Sequence, residues 1–279
     1  MIVKGAWAQH VHDGGGRAPF KQVLGAFLRT AGHENRQQQF EIAADELMEL
    51  EISSEEELLR HYDALARTFA SARQSALKNT DLYLSMASDL DVYVATSMRS
   101  RQQFRDMAKT CEQIFGHPAV RDLHLRYFDP TLSATSGHED KGLIECLMVK
   151  CAKVLIYMAG ERDSYGKDAE AAMALSLGRP VIFLCDDATR RQFFTEIHPL
   201  SRLIDFQTGV AVGAMATSSP DDAARLLGRI FENKVRYQLE HPKEGYFRLR
   251  EQITGSVVRL QTNNRLLRET FWNCYHRPS

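Results

Sequence analysis

Lys153-Val154-Leu155-Ile156-Tyr157-Met158 is a short, wholly apolar run after its first residue. It leads through Ala159-Gly160-Glu161-Arg162-Asp163-Ser164-Tyr165-Gly166-Lys167 into the small-residue stretch Asp168-Ala169-Glu170-Ala171-Ala172-Met173-Ala174-Leu175. Gly178-Arg179-Pro180 then turns the chain into a second apolar run, Val181-Ile182-Phe183-Leu184. Apolar on both alternating faces, each run reads as a parallel strand covered on two sides. The stretch between them reads as the crossover helix that parallel strands require.

Working outward, the same alternation continues. Asp91-Val92-Tyr93-Val94-Ala95-Thr96 is a third strand. Gln102 to Phe115 carries Phe104, Met107, Ala108, Cys111 and Phe115 on one helical face, and Lys141 to Cys151 carries Ile144, Leu147 and Met148. Asp122 to Phe128 reads as an additional strand and Leu203 to Phe206 as a last one, with Gly209 to Gly213 as a tight strand. The order strand, helix, strand, helix implies an α/β fold with a doubly wound, mostly parallel sheet.

The flanks read as helical extensions. After a short strand near Ile2 to His12 and a glycine turn at Gly14 to Gly16, the pattern from Pro19 to Thr80 is helical, with a helix start at Ser53-Ser54-Glu55. Asp221-Asp222 starts another helix, with Leu226, Leu227, Ile230 and Phe231 as its stripe. Phe247 to Trp272 is expected to add one long or two short helices. The expected division is therefore a mainly helical segment 1–88, the α/β domain 89–215, and a helical segment 216–279.

Composition narrows the function. With 35 Lys and Arg against 36 Asp and Glu among 279 residues, the net charge is −1, without the basic excess that a grip on nucleic-acid phosphate needs. At 44% hydrophobic and 25% charged residues, the chain has the make-up of a globular protein. No stretch reaches the roughly 18 to 20 apolar residues of a membrane span, and no leader pattern opens the chain, so a cytoplasmic location is expected. The five cysteines form no CxxC pair and the ten histidines no HExxH, so no metal and no bound cofactor are expected.

In an open parallel sheet, ligands bind where strands end and the winding direction reverses. Thr96, Ser97 and Arg99 leave the Asp91 strand there; Asp163, Ser164 and Tyr165 leave the Lys153 strand. Together they offer hydroxyls, a guanidinium, a carboxylate and an aromatic. Glu170 sits within two turns of the helix start. It is either a solvated acid favoured by the helix dipole, or a carboxylate facing the crevice, where an anion suits the developing cation of a sugar C1′. Position alone leaves both open. Asp129 to Ser133 is polar enough for a site loop, and His138, Glu139 and Asp140 read as a helix-capping cluster.

The block Ser164-Tyr165-Gly166-Lys167-Asp168-Ala169-Glu170, with Ala174-Leu175-Ser176-Leu177-Gly178-Arg179-Pro180-Val181-Ile182, resembles the nucleoside 2-deoxyribosyltransferase family. The Ser-to-Glu spacing with an aromatic between is also similar to TIR domains. The resemblance covers about residues 91–184. It implies a flavodoxin-like sheet and cleavage of a base–ribose bond in NAD or a (deoxy)nucleoside, with Glu170 catalytic. By the same resemblance Ser164 and the strand-loop 91–99, with Thr96, Ser97 and Arg99, bind substrate, and NAD enters as substrate rather than cofactor. Asp163 and Tyr165 are added as substrate-binding residues from their place in the loop. Asp163 stands slightly after the place of the transferases' Asp, and Tyr165-Gly166 where TIR domains carry Trp-Cys. Ala171 stands where the transferases carry Gly, and Met158-Ala159-Gly160 where they carry an Asp.

The resemblance also implies a role in antiviral defence. Related domains there act either as enzymes or as sensors that bind a nucleotide and drive assembly without turning it over. The expected partners are a nucleotide or nucleoside, further copies of the chain, since Phe271, Trp272 and Tyr275 in the terminal helices favour self-association, and a protein partner through the helical ends. No membrane or nucleic-acid partner is expected.

Overall fold

The computed structural model describes residues 55–98, 101–129, 132–135, 137–159, 165–187, 203–205, 210–212, 214–262 and 264–266. They fall into two compact units, one built from Met1–Leu82, Met98–Arg105 and Leu132–Lys141, the other from the remainder. Expectations that rest on residues 1–54, and on Phe271, Trp272 and Tyr275, lie outside the described residues.

Most of the described part of the first unit is the long helix α1, Glu55–Ser85, up to Leu82. Glu55, Glu56 and Glu57 are its first described residues, and the expected start at Ser53-Ser54 lies outside them. Near its end, Thr80 pairs with the backbone of Ala134: the hydroxyl donates to the carbonyl at 2.6 Å and accepts from the N–H at 3.0 Å. Asn79 Nδ2 donates to the Leu132 carbonyl at 2.9 Å.

The second unit contains the α/β sheet. Its strands are β1 (Val92–Ala95), β2 (Tyr127–Phe128), β3 (Val154–Met158), β4 (Val181–Leu184) and, past two strands of another sheet, β7 (Met215–Thr217). All pair in parallel, in the order β2-β1-β3-β4-β7, which is the doubly wound, flavodoxin-like arrangement. The crossover helices are α2 (Arg101–Phe115), α3 (His138–Cys151) and α4 (Tyr165–Ser176), and α5 (Pro220–Phe231) follows the last parallel strand.

Two cores explain why the strands read as continuous apolar runs. On one face, Tyr93, Leu155 and Tyr157 pack with Met148 and Val149 of α3 and Ala171, Ala174 and Leu175 of α4. On the other, Val92, Val94, Ile156 and Ile182 pack with Cys111 and Ile114 of α2 and Ala223, Leu226 and Leu227 of α5. Successive side chains of one strand therefore enter different cores. At the strand starts Asp91 ties three strands together: its carboxylate accepts from the Arg126 N–H at 3.0 Å and from Lys153 Nζ at 2.6 Å.

Helix α5 lies so close to the loop before β2 that a Cβ on Gly228 would sit 2.4 Å from the Ala119 carbonyl oxygen. Gly228→Ala is expected to lower the unfolding free energy by about 1–2 kcal/mol, because overpacking against fixed backbone outweighs the gain in helix propensity. Urea denaturation would show this as a lower midpoint at unchanged slope; an unchanged or higher midpoint contradicts the close approach.

Three sequence expectations need correction. Asp122 to Phe128 is a strand only at its end, because Arg121–Leu123 forms a 3-10 turn and His124 takes φ +48°. Leu203 to Phe206 does contain a strand, β5 (Leu203–Asp205), but it belongs to a second sheet, and β7 closes the parallel one. The C-terminal segment opens with the expected helix α5 and then becomes β-structure: β8 (Tyr237–Lys243), β9 (Tyr246–Glu251) and β10 (Val257–Thr262). With β5 and β6 (Val210–Val212) they form an antiparallel sheet in the order β5-β6-β10-β9-β8. Alternation of Phe247, Leu249 and Glu251 and the Glu244-Gly245 turn, with Gly245 at φ +78°, favour a hairpin over a helix.

The turn joining β9 to β10 covers the parallel sheet's outer edge. Ser256 Oγ accepts from the Ala216 N–H of β7 at 3.0 Å, so a backbone donor at the sheet edge is satisfied from outside the ladder. No helix among the described residues is long and apolar enough to cross a membrane.

Candidate functional site

The winding direction reverses between β1 and β3: the helix after β1 enters one core and the helix after β3 the other. Thr96 and Ser97 follow β1 there and are half-buried. Arg99, Asp163 and Ser164 lie outside the described residues. Tyr165 opens α4 with its ring almost entirely in solvent, 94% exposed.

Glu170 points inward. Its Oε1 accepts a 2.9 Å hydrogen bond from the hydroxyl of Tyr93, and its Oε2 is shut off from solvent. The carboxylate is thus turned toward the sheet rather than out into solvent from the helix start. Tyr93 is itself buried, the second residue of β1, with its ring stacked on Phe128 at 5.4 Å. Burial, and then the negative charge of Glu170 and of Glu145, pushes the Tyr93 hydroxyl well above its usual range. It therefore stays protonated and remains a donor to Glu170.

Two contacts fix the start of α4 on the end of β3. Lys167 is buried and its Nζ donates to the Met158 carbonyl at 3.0 Å, while the ammonium lies 4.8 Å from the Tyr157 ring centre. Tyr157 donates to Asp168 Oδ1 at 2.7 Å, and its ring stacks on Phe183 of β4 at 4.7 Å. Because Lys167 and Glu170 are one turn apart, locking the first also sets the height of the second.

Glu145 is the further carboxylate of this neighbourhood. It lies on the side of α3 that carries buried Met148, Val149 and Ala152, while Leu143 and Leu147 face outward. Helices α3 and α4 touch beside it, with Cys146 Sγ 3.8 Å from Met173 Sδ. Asp129, at the end of β2, is buried as well, and its N–H donates to the Tyr83 hydroxyl at 3.3 Å. Burial and then the Asp129 charge push the nearby Cys111 thiol up to about 12, so it is an unreactive core group.

Sequence reading identified Glu170 and missed Tyr93, Tyr157, Lys167 and Glu145. A signal was present for the tyrosines. Each interrupts an otherwise aliphatic buried strand, and a buried tyrosine hydroxyl needs a partner. Glu145 interrupts the inward stripe of α3 in the same way.

Chemically, the arrangement presents a partly desolvated carboxylate, held by a neutral donor, at the side of the sheet's switch point. No group of three or more His, Cys, Asp or Glu side chains that could hold a metal occurs among the described residues. Comparison with family models, with curated proteins and with solved structures finds no match to this chain.

Proposed function

We propose that this chain cleaves the base–ribose bond of NAD or of a (deoxy)nucleoside or its phosphate, with Glu170 as the anion that faces C1′. The observation that carries the reading is the Tyr93–Glu170 hydrogen bond, which turns the helix-borne carboxylate inward at the switch point. The substrate class comes from the sequence resemblance. The C1′–N bond breaks with its electron pair going to the base; nicotinamide leaves neutral, whereas a purine or pyrimidine anion takes up a proton. Glu170 stabilises the cationic sugar or bonds to it, and water or an acceptor base then adds to C1′, water losing a proton. Asp163 and Ser164 on the loop after β3, Thr96 and Ser97 after β1, and the exposed Tyr165 ring supply sugar and base contacts, and Arg99 a phosphate contact. Such a nucleotide-consuming enzyme fits a role in antiviral defence.

Incubation of the chain with NAD and a panel of nucleosides and nucleotides, with free base measured by chromatography, tests this directly. Binding without any released base would replace the enzyme with a nucleotide sensor. Tyr93→Phe keeps the stacked ring and removes only the hydroxyl. It is expected to slow base release about ten-fold or more, since a hydrogen bond to a charged group contributes about 1.5–3 kcal/mol. Unchanged turnover would show that Tyr93 does not set the carboxylate.

A further inference from the structure

Helices on the two faces of the parallel sheet differ in what they show to solvent. On one face, α2 exposes Arg105, Asp106, Lys109 and Glu112, and α5 exposes Arg225. These helices are apolar inward and charged outward, the pattern of a helix with one side in water. On the other face, α3 is apolar twice. Met148 and Val149 are buried in the core, yet Leu143 is 71% exposed and Leu147 40%. Gly142 and Cys146 are exposed beside them. The neighbouring α4, which touches α3 through the Cys146–Met173 contact, exposes Ala169, Ala172 and Ser176. Its exposed charge is Asp168, and that carboxylate accepts from Tyr157. A helix apolar all round belongs in a place that is covered all round, and an exposed apolar patch marks an interaction surface.

Gly142 is a second observation. It stands inside α3, where glycine weakens a helix, and a Cβ built on it would meet nothing within 4 Å. Packing among the described residues therefore does not require the missing side chain, whereas a helix laid closely on this surface from outside does.

The charges identify the covering element. Helix α3 runs unbroken from His138 to Cys151, with Glu139 exposed in its first turn and Lys150 exposed in its last. Glu139, Leu143, Cys146 and Lys150 follow one another at intervals of four, three and four residues, the spacing of a two-helix seam. The seam has opposite charges at its two ends, so it is its own complement when reversed.

We propose that a second copy of this chain covers this face, α3 packing antiparallel on α3 of its partner about a two-fold axis level with the Ile144–Glu145 peptide. That register sets Lys150 level with the partner's Glu139, and Leu143 level with the partner's Cys146, each twice. Leu147 then rests against the partner's Leu143, and Gly142 leaves room at the level of the partner's Leu147. A parallel pair would set Glu139 against Glu139 and Lys150 against Lys150, which like-charge repulsion opposes. Sliding the helices by one turn would part the ion pairs and lay charges against apolar side chains. The uncharged outer side of α4 widens the patch. Each copy covers the other's patch and the pair closes at two, the isologous kind of contact.

Sedimentation or light scattering of the full chain is expected to show a concentration-dependent species of twice the chain mass. Leu143→Glu, at an exposed position, is expected to weaken that species at least ten-fold, by desolvating a charge in the seam. Charge reversal at low ionic strength reads the register. Glu139→Lys alone and Lys150→Glu alone are each expected to weaken the pair about ten-fold, because each makes both cross-axis pairs repulsive. The two together are expected to restore it, since every pair is again of opposite sign. A single-chain mass at every concentration overturns the proposal, and means that the face is bare or covered by something other than a second copy. So does a dimer that Leu143→Glu leaves intact, or one that the double reversal fails to restore. Should Leu143→Glu fail to fold by circular dichroism, the charge-reversal set decides, because both of its positions are exposed at the helix ends.

Discussion

Glu170→Gln is expected to keep its fold and its nucleotide binding while losing base release by a factor on the order of 10²–10³. The substitution is nearly isosteric, and the amide oxygen can still accept from Tyr93, so the 2.9 Å contact that orients the side chain survives. Only the charge is lost. A pre-placed charge facing the charge that develops in a transition state accounts for rate factors of about that size. The loss should fall on kcat rather than KM, because the cation exists only beyond the ground state. Circular dichroism and a binding isotherm would establish that the variant is folded and loaded. Equal turnover of variant and parent would remove Glu170 from the chemistry.

The second large effect concerns stability. Glu251, at the end of β9, is fully buried, yet its carboxylate is met by three donors: the Ile253 N–H at 2.8 Å, the Thr254 N–H at 2.7 Å and the Thr254 hydroxyl at 2.9 Å. The same turn carries Ser256, which satisfies the edge of the parallel sheet through Ala216. Glu251→Ala would strand two backbone donors in a dry site, each costing about 1–3 kcal/mol. The expected loss is about 2–5 kcal/mol, and a clear fall in thermal midpoint, at roughly 2–4 °C for each kcal/mol in a chain of this size. Glu251→Gln keeps one acceptor oxygen and should fall between the two. A midpoint within a degree of the parent for Glu251→Ala would mean that water reaches the turn and replaces the carboxylate.

Much of the α/β fold was legible because its signals are local. Val92–Ala95, Val154–Met158 and Val181–Leu184 announce themselves as buried parallel strands by having no polar alternation, and the glycine and proline at Gly178 and Pro180 mark where a helix gives way to a strand. The second sheet was harder. Phe247 and Leu249 can be counted into a helical stripe as easily as into an alternating strand. Only Gly245 and the cross-strand match of Glu240 with Arg248 and Arg250 settle the choice.

From sequence alone came the doubly wound sheet, the place where its winding reverses, and the choice of Glu170 as the carboxylate to watch. These depend on periodicity and on residues within a few positions of one another. The tertiary structure alone decided where that carboxylate points, because its partner Tyr93 lies 77 residues away in the chain. It likewise revealed Lys167 under the helix start and Glu145 on the inward side of α3. A hydrogen bond between side chains far apart in sequence leaves no trace in local pattern. It exists only once β1, α3 and α4 have packed onto one apolar layer, and it is the burial in that layer that gives the Tyr93 hydroxyl and the Glu170 carboxylate their reason to pair.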